Sequence, residues 1–442
     1  MNVIPSFSMN NEKSSCGRWI SRRIKMVADV RYGLGQPPER NAEGLPIIRA
    51  TNVSRGRITE KDLMYVDPDD LPLGRDPYLK TGEIIVVRSG AYTGDSAIIP
   101  DKWNGAIVGY DMVLSATRCA PNYLAYCLLS DSVLDAQILL LTQRAAQPHL
   151  NANELGNVIV HLPENVIEQN RIAVYLDASC ASIDRAVETK QKQLEILDAL
   201  RKSIIQKAVT QGLNPDAEMK NSRLEMLGKI PTRWQVRRLK ALSDIRYGLG
   251  QPPAQKDDGL PILRATNVTR GKITEKGLIR VDPEDLPAGR DPYLAAGEII
   301  VVRSGAYTAD SAIISEEWAG SIAGYDMVVT ARRSEPRFLA YALLSNYVLR
   351  DQLLLMTLRA AQPHLNANEL GSVKIVAPER IPEQTEICDY LDRRMKELDK
   401  VRDNISSQIT TLTAYRKSLI HECVTGKRRI TDADLAKVGA HV

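Results

Sequence analysis

The chain has 442 residues, of which 44% are hydrophobic and 25% charged, a composition that excludes a disordered or low-complexity chain. This length exceeds one ordinary hydrophobic core and predicts at least two domains. The net charge of +4 is a mild basic excess, which permits a nucleic-acid partner without requiring one. No segment reaches the ~18 apolar residues of a transmembrane helix, and the polar first 15 residues lack a signal peptide, so we expect a cytoplasmic protein with no membrane partner.

The first part of the chain, after an N-terminal tail over residues 1–17, mixes strand, turn and helix signals. Residues 84–87 form a β-branched run that ends at a Ser-Gly pair, and residues 106–116 form a second strand candidate. Residues 122–141 carry leucines at helical spacing. We therefore predict an α+β globular domain over residues 18–162.

A long helix follows over residues 163–212. Glycine and proline are absent from position 164 to about 210, and the apolar positions alternate by four and three, which favours a coiled-coil seam. The seam contains Leu176, Cys180, Ile183, Val187, Lys190, Leu194, Leu197, Arg201, Ile204 and Ala208. Some 45 helical residues would span roughly 65–70 Å. Its basic members either fix the helix alignment through ion pairs or extend their charged ends into solvent.

A linker is predicted over residues 213–232, where Asn214, Pro215, Gly228 and Pro231 are turn signals. Beyond it the chain repeats itself at a constant offset of 215 residues. Segment 31–38 recurs as 246–253, segment 83–93 as 298–308, and segment 144–156 as 359–371. The offset is far longer than the repeat periods of solenoids, so each copy is expected to be a domain-sized unit.

The duplication predicts a second globular domain over residues 233–377, a second long helix over 378–427 and a C-terminal tail over 428–442. The second helix has its own seam, again with basic members. It contains Leu391, Met395, Leu398, Arg402, Ile405, Ile409, Leu412, Arg416, Leu419 and Cys423. The fold class expected from the residues is thus α+β, with two similar globular domains and two long helices.

The duplication also tests candidate chemistry. None of the six cysteines recurs as cysteine at the offset of 215, and none forms a Cys-x-x-Cys pair, so zinc and redox roles are disfavoured and the thiols are expected to act as small hydrophobes. Phosphate-binding Gly-Lys-Ser/Thr loops, Gly-x-Ser-x-Gly elbows, His-Glu-x-x-His motifs and the Asp/Asn-Pro-Pro-Tyr/Phe motif of amino-methyltransferases are also missing from the sequence. We expect no catalytic site, no metal and no cofactor of the chain's own.

Two basic stretches open the globular domains and offer possible phosphate contacts. They contain Arg18, Arg22, Arg23, Lys25 and Arg31 in the first copy and Arg233, Arg237, Arg238, Lys240 and Arg246 in the second. Lysine and arginine on one face would bind DNA phosphates without reading sequence. A solvated face with no partner is an equally open interpretation.

Base reading needs side chains with paired donors and acceptors, placed near loops and present in both copies. The candidates of the first copy are Arg49, Asn52, Arg88, Ser89, Tyr92, Arg144, Gln147, His149, Asn151 and Asn153. Their counterparts are Arg264, Asn267, Arg303, Ser304, Tyr307, Arg359, Gln362, His364, Asn366 and Asn368. For any one of them, turn formation or helix capping is as good an interpretation as base contact.

At this point the sequence resembles the specificity subunits of type I restriction–modification systems, over nearly its whole length. Residues 227–234, Leu-Gly-Lys-Ile-Pro-Thr-Arg-Trp, resemble the entry to a target recognition domain of that family. Residues 378–384, Pro-Glu-Arg-Ile-Pro-Glu-Gln, with Tyr-Leu-Asp at 390–392, Arg-Lys-Ser-Leu-Ile at 416–420 and Val-Thr-Gly at 424–426, resemble its helical region. The first copy repeats this helical pattern from Pro163, while its entry around Trp19 departs from it.

The resemblance implies two target recognition domains, each reading one half of a split site in double-stranded DNA, and two antiparallel coiled-coil helices that separate them with pseudo-two-fold symmetry. It implies that two methyltransferase subunits dock on the helices, bind S-adenosylmethionine and flip out an adenine. A restriction subunit with ATP-driven translocation would join them. Because the two copies here are so alike, we expect the half-sites to be the same or closely related and inverted around a spacer.

Two rival interpretations stay open at this stage. A coiled-coil scaffold that does not bind DNA is the first, and the duplicated arginine- and glutamine-bearing loops argue against it. A methyltransferase or nuclease that acts alone is the second, and the missing motifs argue against it. The sequence does not specify the bases read or the spacer length, or whether a restriction subunit is present.

Overall fold

The computed structural model describes residues 18–439 except positions 37, 73, 75, 143–147, 252, 288, 290 and 358–363. The chain divides into two compact units: unit 1 contains residues 1–190 and 407–442, and unit 2 contains residues 191–406. Both unit boundaries fall inside a long helix, so each unit combines one globular part with a segment of each long helix. The expectation of a mixed helix-and-sheet fold with two long helices is confirmed.

The described residues of unit 1 form four small sheets. A four-stranded antiparallel sheet has the order Ala28–Tyr32, Met112–Ala116, Ile84–Val86 and Ser96–Ile98. A three-stranded sheet has the order Met64–Val66, Arg40–Ile48 and Ile107–Val108, with the last pair parallel. Trp19–Arg23 pairs with Ile159–Pro163, and Val53–Ser54 pairs with Arg57–Ile58.

The central strand Ile84–Val86 is buried on both faces, which explains its uninterrupted apolar sequence. Ile84 and Val86 belong to the larger core with helix Pro121–Leu129, whereas Ile85 and Val87 belong to a second core with Trp103. The strand thus separates two hydrophobic cores, and packing against both of them fixes the position of the strand end that leads to residue 88.

Two predicted elements of unit 1 are interrupted. The strand candidate at 106–116 splits into Ile107–Val108 and Met112–Ala116. The helix candidate at 122–141 splits into Pro121–Leu129, a π-helical turn Leu134–Ile138 and Leu139–Thr142. No single helix in the described part of the chain is long and apolar enough to cross a membrane; the helix pair 121–129 and 134–142, bent by 61°, passes that test only when the two are combined.

The long helices run over Val166–Gln211 and Ile381–Val424. They begin after strands that end at Pro163 and Pro378. Every predicted seam position is buried or half-buried. In unit 1 the helix segments are antiparallel, since Tyr175 contacts Arg428 while Asp184, further along, contacts Arg416.

Unit 2 repeats the sheets of unit 1. Its four-stranded sheet has the order Ser243–Tyr247, Met327–Ala331, Ile299–Val301 and Ser311–Ile313, and its three-stranded sheet has the order Ile279–Val281, Gln255–Leu263 and Ile322–Ala323. Trp234–Arg238 pairs with Lys374–Pro378, and Val268–Thr269 with Lys272–Ile273. Its shorter helices are Pro336–Leu344, Asn346–Val348, Leu355–Thr357 and Ala367–Ser372, with a π-helical turn at Leu349–Leu354.

Two segments predicted to lack regular structure are folded. The segment predicted as a linker contains the hairpin Met219–Asn221 with Lys229–Pro231, and buried Ile230 joins the core of unit 2. The segment predicted as a C-terminal tail contains helix Asp432–Gly439, whose Leu435 packs on the core of unit 1 beside buried Ile430. In each case a few apolar residues in a polar sequence find a hydrophobic surface supplied by distant parts of the chain.

Candidate nucleic-acid interface

Arg88 lies at the centre of a surface cluster that we call the arginine–tyrosine cluster of unit 1, formed with Tyr32, Tyr110, Asp111 and His149. Its guanidinium carbon lies over the rings of Tyr32 and Tyr110, 4.8 and 4.1 Å from their centroids. Nη2 lies 3.3 Å from Nε2 of His149. These contacts fix the plane of the guanidinium through cation–π attraction and one hydrogen bond.

Hydrogen bonds of its backbone also hold Arg88 in place. Its carbonyl accepts the N–H of Leu150 at 2.7 Å, and its own N–H donates to Oδ1 of Asp111 at 3.2 Å. Ser89 forms a β-bridge with His149, which extends the sheet end by one pairing. The hydroxyl of Tyr32 accepts the N–H of Ala152 at 2.8 Å and so ties the same ring to the next helix.

Asp111 is a buried carboxylate at the base of this cluster. Burial raises its pKa to about 6, although the N–H and the positive charge of Arg88 act in the opposite direction. Its neighbour Tyr110 is about half exposed, as is Tyr32. The cluster therefore presents aromatic rings and one cation to solvent above a buried acid.

Unit 2 contains the same cluster with nearly the same dimensions. Arg303 lies 4.8 and 4.1 Å from the ring centroids of Tyr247 and Tyr325, and its Nη2 lies 3.2 Å from Nε2 of His364. Burial raises the pKa of Asp326, the counterpart of Asp111, to about 6 as well. Predicted residues 88 and 149, and 303 and 364, are thus brought together in each unit.

Further predicted residues lie in or near the same surface turn. Ser89 and Ser304 are half-exposed and bridge to the cluster histidines through their backbones. Tyr92 and Tyr307 are exposed, about half of each side chain being open to solvent. They are available to a large ligand.

Asn52 and Asn267 were expected among base-reading residues, but the structure contradicts this. Both are fully buried. The amide of Asn52 donates to the carbonyls of Thr59 and Lys61, and Asn267 donates to those of Thr274 and Lys276. An amide enclosed in its own loop cannot reach a base edge, so these residues stabilise the loop.

Arg49 and Arg264 serve the same loops. Nη2 of Arg49 donates to the carbonyl of Asp62 at 2.9 Å, and Nη2 of Arg264 donates to that of Gly277 at 2.7 Å. Their Nε atoms are buried without a hydrogen-bond partner. They brace a turn, in contrast to the exposed clusters around Arg88 and Arg303.

Asn151 and Asn366 cap short helices. The side chain of Asn151 accepts the N–H of Glu154, and that of Asn366 accepts the N–H of Glu369, each in a capping box. Asn153, exposed in the helix, accepts a hydrogen bond from the side chain of Asn157. Capping thus accounts for the polar character of Asn151 and Asn366.

Four predicted residues lie outside the described part of the chain: Arg144, Gln147, Arg359 and Gln362. Two members of the basic stretches already form salt bridges. The guanidinium of Arg31 pairs with Glu83 at 2.6 Å, and that of Arg246 pairs with Glu298 at 2.6 Å. The other described members of both stretches are exposed or half-exposed.

The seam arginines belong to ion-pair clusters. In unit 1, Asp184 binds Arg416 at 3.2 Å and also Arg57 of the hairpin 53–58. In unit 2, Asp399 binds Arg201 at 2.8 Å and Lys272 of the equivalent hairpin at 2.9 Å. The paired-seam interpretation therefore fits both arginines. Each cluster ties a globular part to both long helices.

The described residues contain no group of three or more histidine, cysteine or acidic side chains arranged for a metal ion. The cysteines at 119, 127, 180, 388 and 423 are free and buried, as expected for small hydrophobes. Sequence reasoning missed Tyr32, Tyr110 and Asp111 as members of the cluster. Their recurrence at the offset of 215 was the available signal, with Tyr32 and Tyr110 each beside a glycine and Asp111 directly after Tyr110.

Comparison with known proteins points to one family. Residues 231–411 match the family model described as "Type I restriction modification DNA specificity domain". The Type I restriction enzyme MjaVIII specificity subunit of Methanocaldococcus jannaschii is 24% identical over 321 residues, which cover 70% of this chain and 70% of that protein. The Type I restriction enzyme EcoBI specificity subunit of Escherichia coli is 24% identical over 438 residues, which cover 91% of this chain and 83% of that protein.

A solved structure described as the structural basis of complex assembly and conformational transition of the type I R-M system has the same fold. It aligns with a TM-score of 0.68 and 17% identity over 92% of this chain and 98% of that one. At this identity the likeness shows the fold alone. Residues 231–411 thus carry a type I restriction modification DNA specificity domain, and the chain is similar over most of its length to specificity subunits of type I restriction–modification systems, which carry no catalytic site of their own.

Proposed function

We propose that this chain selects the DNA sequence on which a type I restriction–modification complex acts, each unit reading one half of a split, inverted site. The observation that carries the proposal is the arginine–tyrosine cluster, which is exposed, preorganised and present in both units. A fixed guanidinium among exposed aromatic rings suits the edge and face of a base. Ser89, Tyr92 and His149, with Ser304, Tyr307 and His364, would complete the two surfaces.

The long helices would set the spacing between the half-sites. In this proposal they run antiparallel and relate the two target recognition domains by a pseudo-two-fold axis, so near-identical domains read the same or closely related half-sites in opposite directions. The ion pairs of Asp184 and Asp399 support a defined geometry, because each fastens a globular part to the helices. The candidates Arg144, Gln147, Arg359 and Gln362 stay predictions.

The catalytic steps, methylation and DNA cleavage, would be carried out by partner subunits in the cytoplasm. Two methyltransferase subunits would dock on the helices and bind S-adenosylmethionine, the chain itself needing no cofactor, and a restriction subunit with a DNA translocase would join them. A scaffold that does not bind DNA is the competing function.

The test is the pattern of methylated bases in the host genome, with and without this gene. We expect an interrupted, inverted sequence to lose its methylation when the gene is deleted, and to regain it when the gene is restored. An unchanged methylation pattern, together with no DNA binding by the chain in complex with its partners, would favour the scaffold.

A further inference from the structure

Arg88 differs from the other well-positioned arginines of unit 1 in how it is held. Arg31 pairs with Glu83, and both Arg57 and Arg416 pair with Asp184. Arg88 has no carboxylate within salt-bridge distance among the described residues, and tyrosine rings and a histidine hold it instead. The Arg88 guanidinium, at a half-exposed position, therefore forms no salt bridge in the described structure, although its charge attracts the buried carboxyl of Asp111.

The hydrogen-bonding capacity of the Arg88 guanidinium is largely unused. Because arginine only donates, Nε2 of His149 must accept, which places the proton of a neutral imidazole on Nδ1. Nη2 keeps one further N–H, and Nη1 has no hydrogen-bond partner among the described residues. Nε is buried and unpartnered, so the end of the fork, Nη1 with Nη2, is the part that can bind a ligand.

A planar fork with fixed orientation matches two acceptors side by side. In the major groove guanine offers O6 and N7 in that arrangement, and arginine is its usual partner. A phosphate can also accept two hydrogen bonds from an arginine fork, but its oxygens can be approached from several directions, so a phosphate contact does not need a guanidinium that two rings hold in one plane. The rings and the backbone bonds that immobilise Arg88 would add little to a phosphate contact.

We propose that Arg88 and Arg303 each read a guanine through paired hydrogen bonds, so that both half-sites carry guanine at equivalent positions. Tyr32 and Tyr110, with Tyr247 and Tyr325, are then positioning residues that hold the fork in its reading plane. This inference rests on the proposed function and names one base of its substrate.

The two units are identical at the arginine–tyrosine cluster but differ in other exposed segments. Every member of the cluster is identical in the two copies. By contrast, the mostly exposed segment at residues 39–43 reads Glu-Arg-Asn-Ala-Glu, whereas its counterpart at 254–258 reads Ala-Gln-Lys-Asp-Asp. Identity of the half-sites is thus predicted for the base that the cluster contacts, and not for bases near that segment.

The experiment is a selection of bound duplexes from a random-sequence library with the full chain, followed by sequencing. The wild type should yield two inverted half-sites that share a guanine. Arg88→Lys keeps the charge and removes the fork, so it should reduce the preference for guanine about tenfold in one half-site and leave the other unchanged. Arg303→Lys should do the same to the other half-site.

The matched control is Arg118→Lys, because Arg118 is also exposed and also recurs in the second copy, as Arg333, but has no ring contact in the described structure. It should leave both half-sites unchanged. Tyr110→Phe should keep the guanine preference and Tyr110→Ala should lower it, with the salt dependence of binding unaltered in both. These tyrosine variants test the inference independently of the folding of the lysine variants.

The outcomes separate the inference from the proposed function. If the wild type selects two half-sites without a shared guanine, or if Arg88→Lys keeps its full preference, the cluster contacts phosphate or nothing, and the inference is overturned while sequence recognition stands. If the wild type selects no sequence at all, the proposed function fails with it.

Discussion

Asp111 offers a quantitative test of the chemistry beneath the arginine–tyrosine cluster. Its Oδ1 accepts the backbone N–H of Arg88 at 3.2 Å, and its side chain is almost entirely buried. Burial raises its pKa from 3.8 to about 6. The substitution Asp111→Asn keeps an oxygen that can accept the same hydrogen bond and removes the ionisable group.

The sign of the effect follows from the direction of the pKa shift. Because the folded-state pKa lies above the value in the unfolded chain, the protonated acid favours folding, and this contribution is complete below pH 3.8 and is lost as the pH rises to about 6. The difference between the two pKa values corresponds to about 3 kcal/mol. The asparagine variant has no such loss. The unfolding free energy of the variant should therefore rise by about 3 kcal/mol relative to that of the wild type between pH 3 and pH 7.

The assay is urea unfolding of the full chain, followed by tryptophan fluorescence at several pH values, with the variant and the wild type compared at each. Asp326→Asn should give the same trend in unit 2, since burial raises the pKa of Asp326 equally. Asp29→Asn replaces an exposed carboxylate and serves as the control. A difference between Asp111→Asn and wild type that does not change with pH would refute the reasoning.

This carboxylate also bears on function. Near neutral pH the folded chain holds an ionised, buried Asp111 at a cost of about 3 kcal/mol. Its counterpart in unit 2 carries the same cost. Costly buried charges that are kept in both copies are typical of sites where activity, and not stability, determines the residue.

Two further predictions concern the helices and the cores. Asp399→Asn leaves Arg201 and Lys272 close together without their shared carboxylate. It should therefore lower the unfolding free energy by about 2 kcal/mol, a value between those typical of exposed and buried ion pairs. The measurement is thermal denaturation, with Asp403→Asn, at an exposed position, as the control. Burial raises the pKa of the five described thiols, that of Cys119 to about 11. They should resist a thiol reagent at pH 8 until the chain unfolds; rapid labelling of the native chain would contradict their burial.

The sequence predicts the long helices well because their signal is local and repeated. Apolar residues that recur every three or four positions over this length fit few structures other than a long helix that packs along one side. Arg201 and Arg416 lie on that side as predicted. The duplication predicts two similar sheet-containing parts for the same reason, since nearly identical sequences fold alike.

The candidate site is harder to predict because polar residues have several possible uses. Asn52 and Asn151 have the same donors and acceptors as a base-reading asparagine, and only tertiary structure shows that one closes a loop and the other caps a helix. Tyr32 and Tyr110 are 78 residues apart, and the sheet brings them to Arg88. No local pattern contains that information.

The duplication also explains why the repeats and the compact units do not coincide. Arg57 and Asp184 belong to the first copy, yet the arginine that completes their cluster is Arg416 of the second. The cluster around Asp399 is completed by Arg201 of the first copy in the same way. The two copies carry the same acid and the same seam arginine at these positions, and each cluster takes its seam arginine from the other copy. Each unit therefore depends on both copies for the ion pairs that join its globular part to its helix segments.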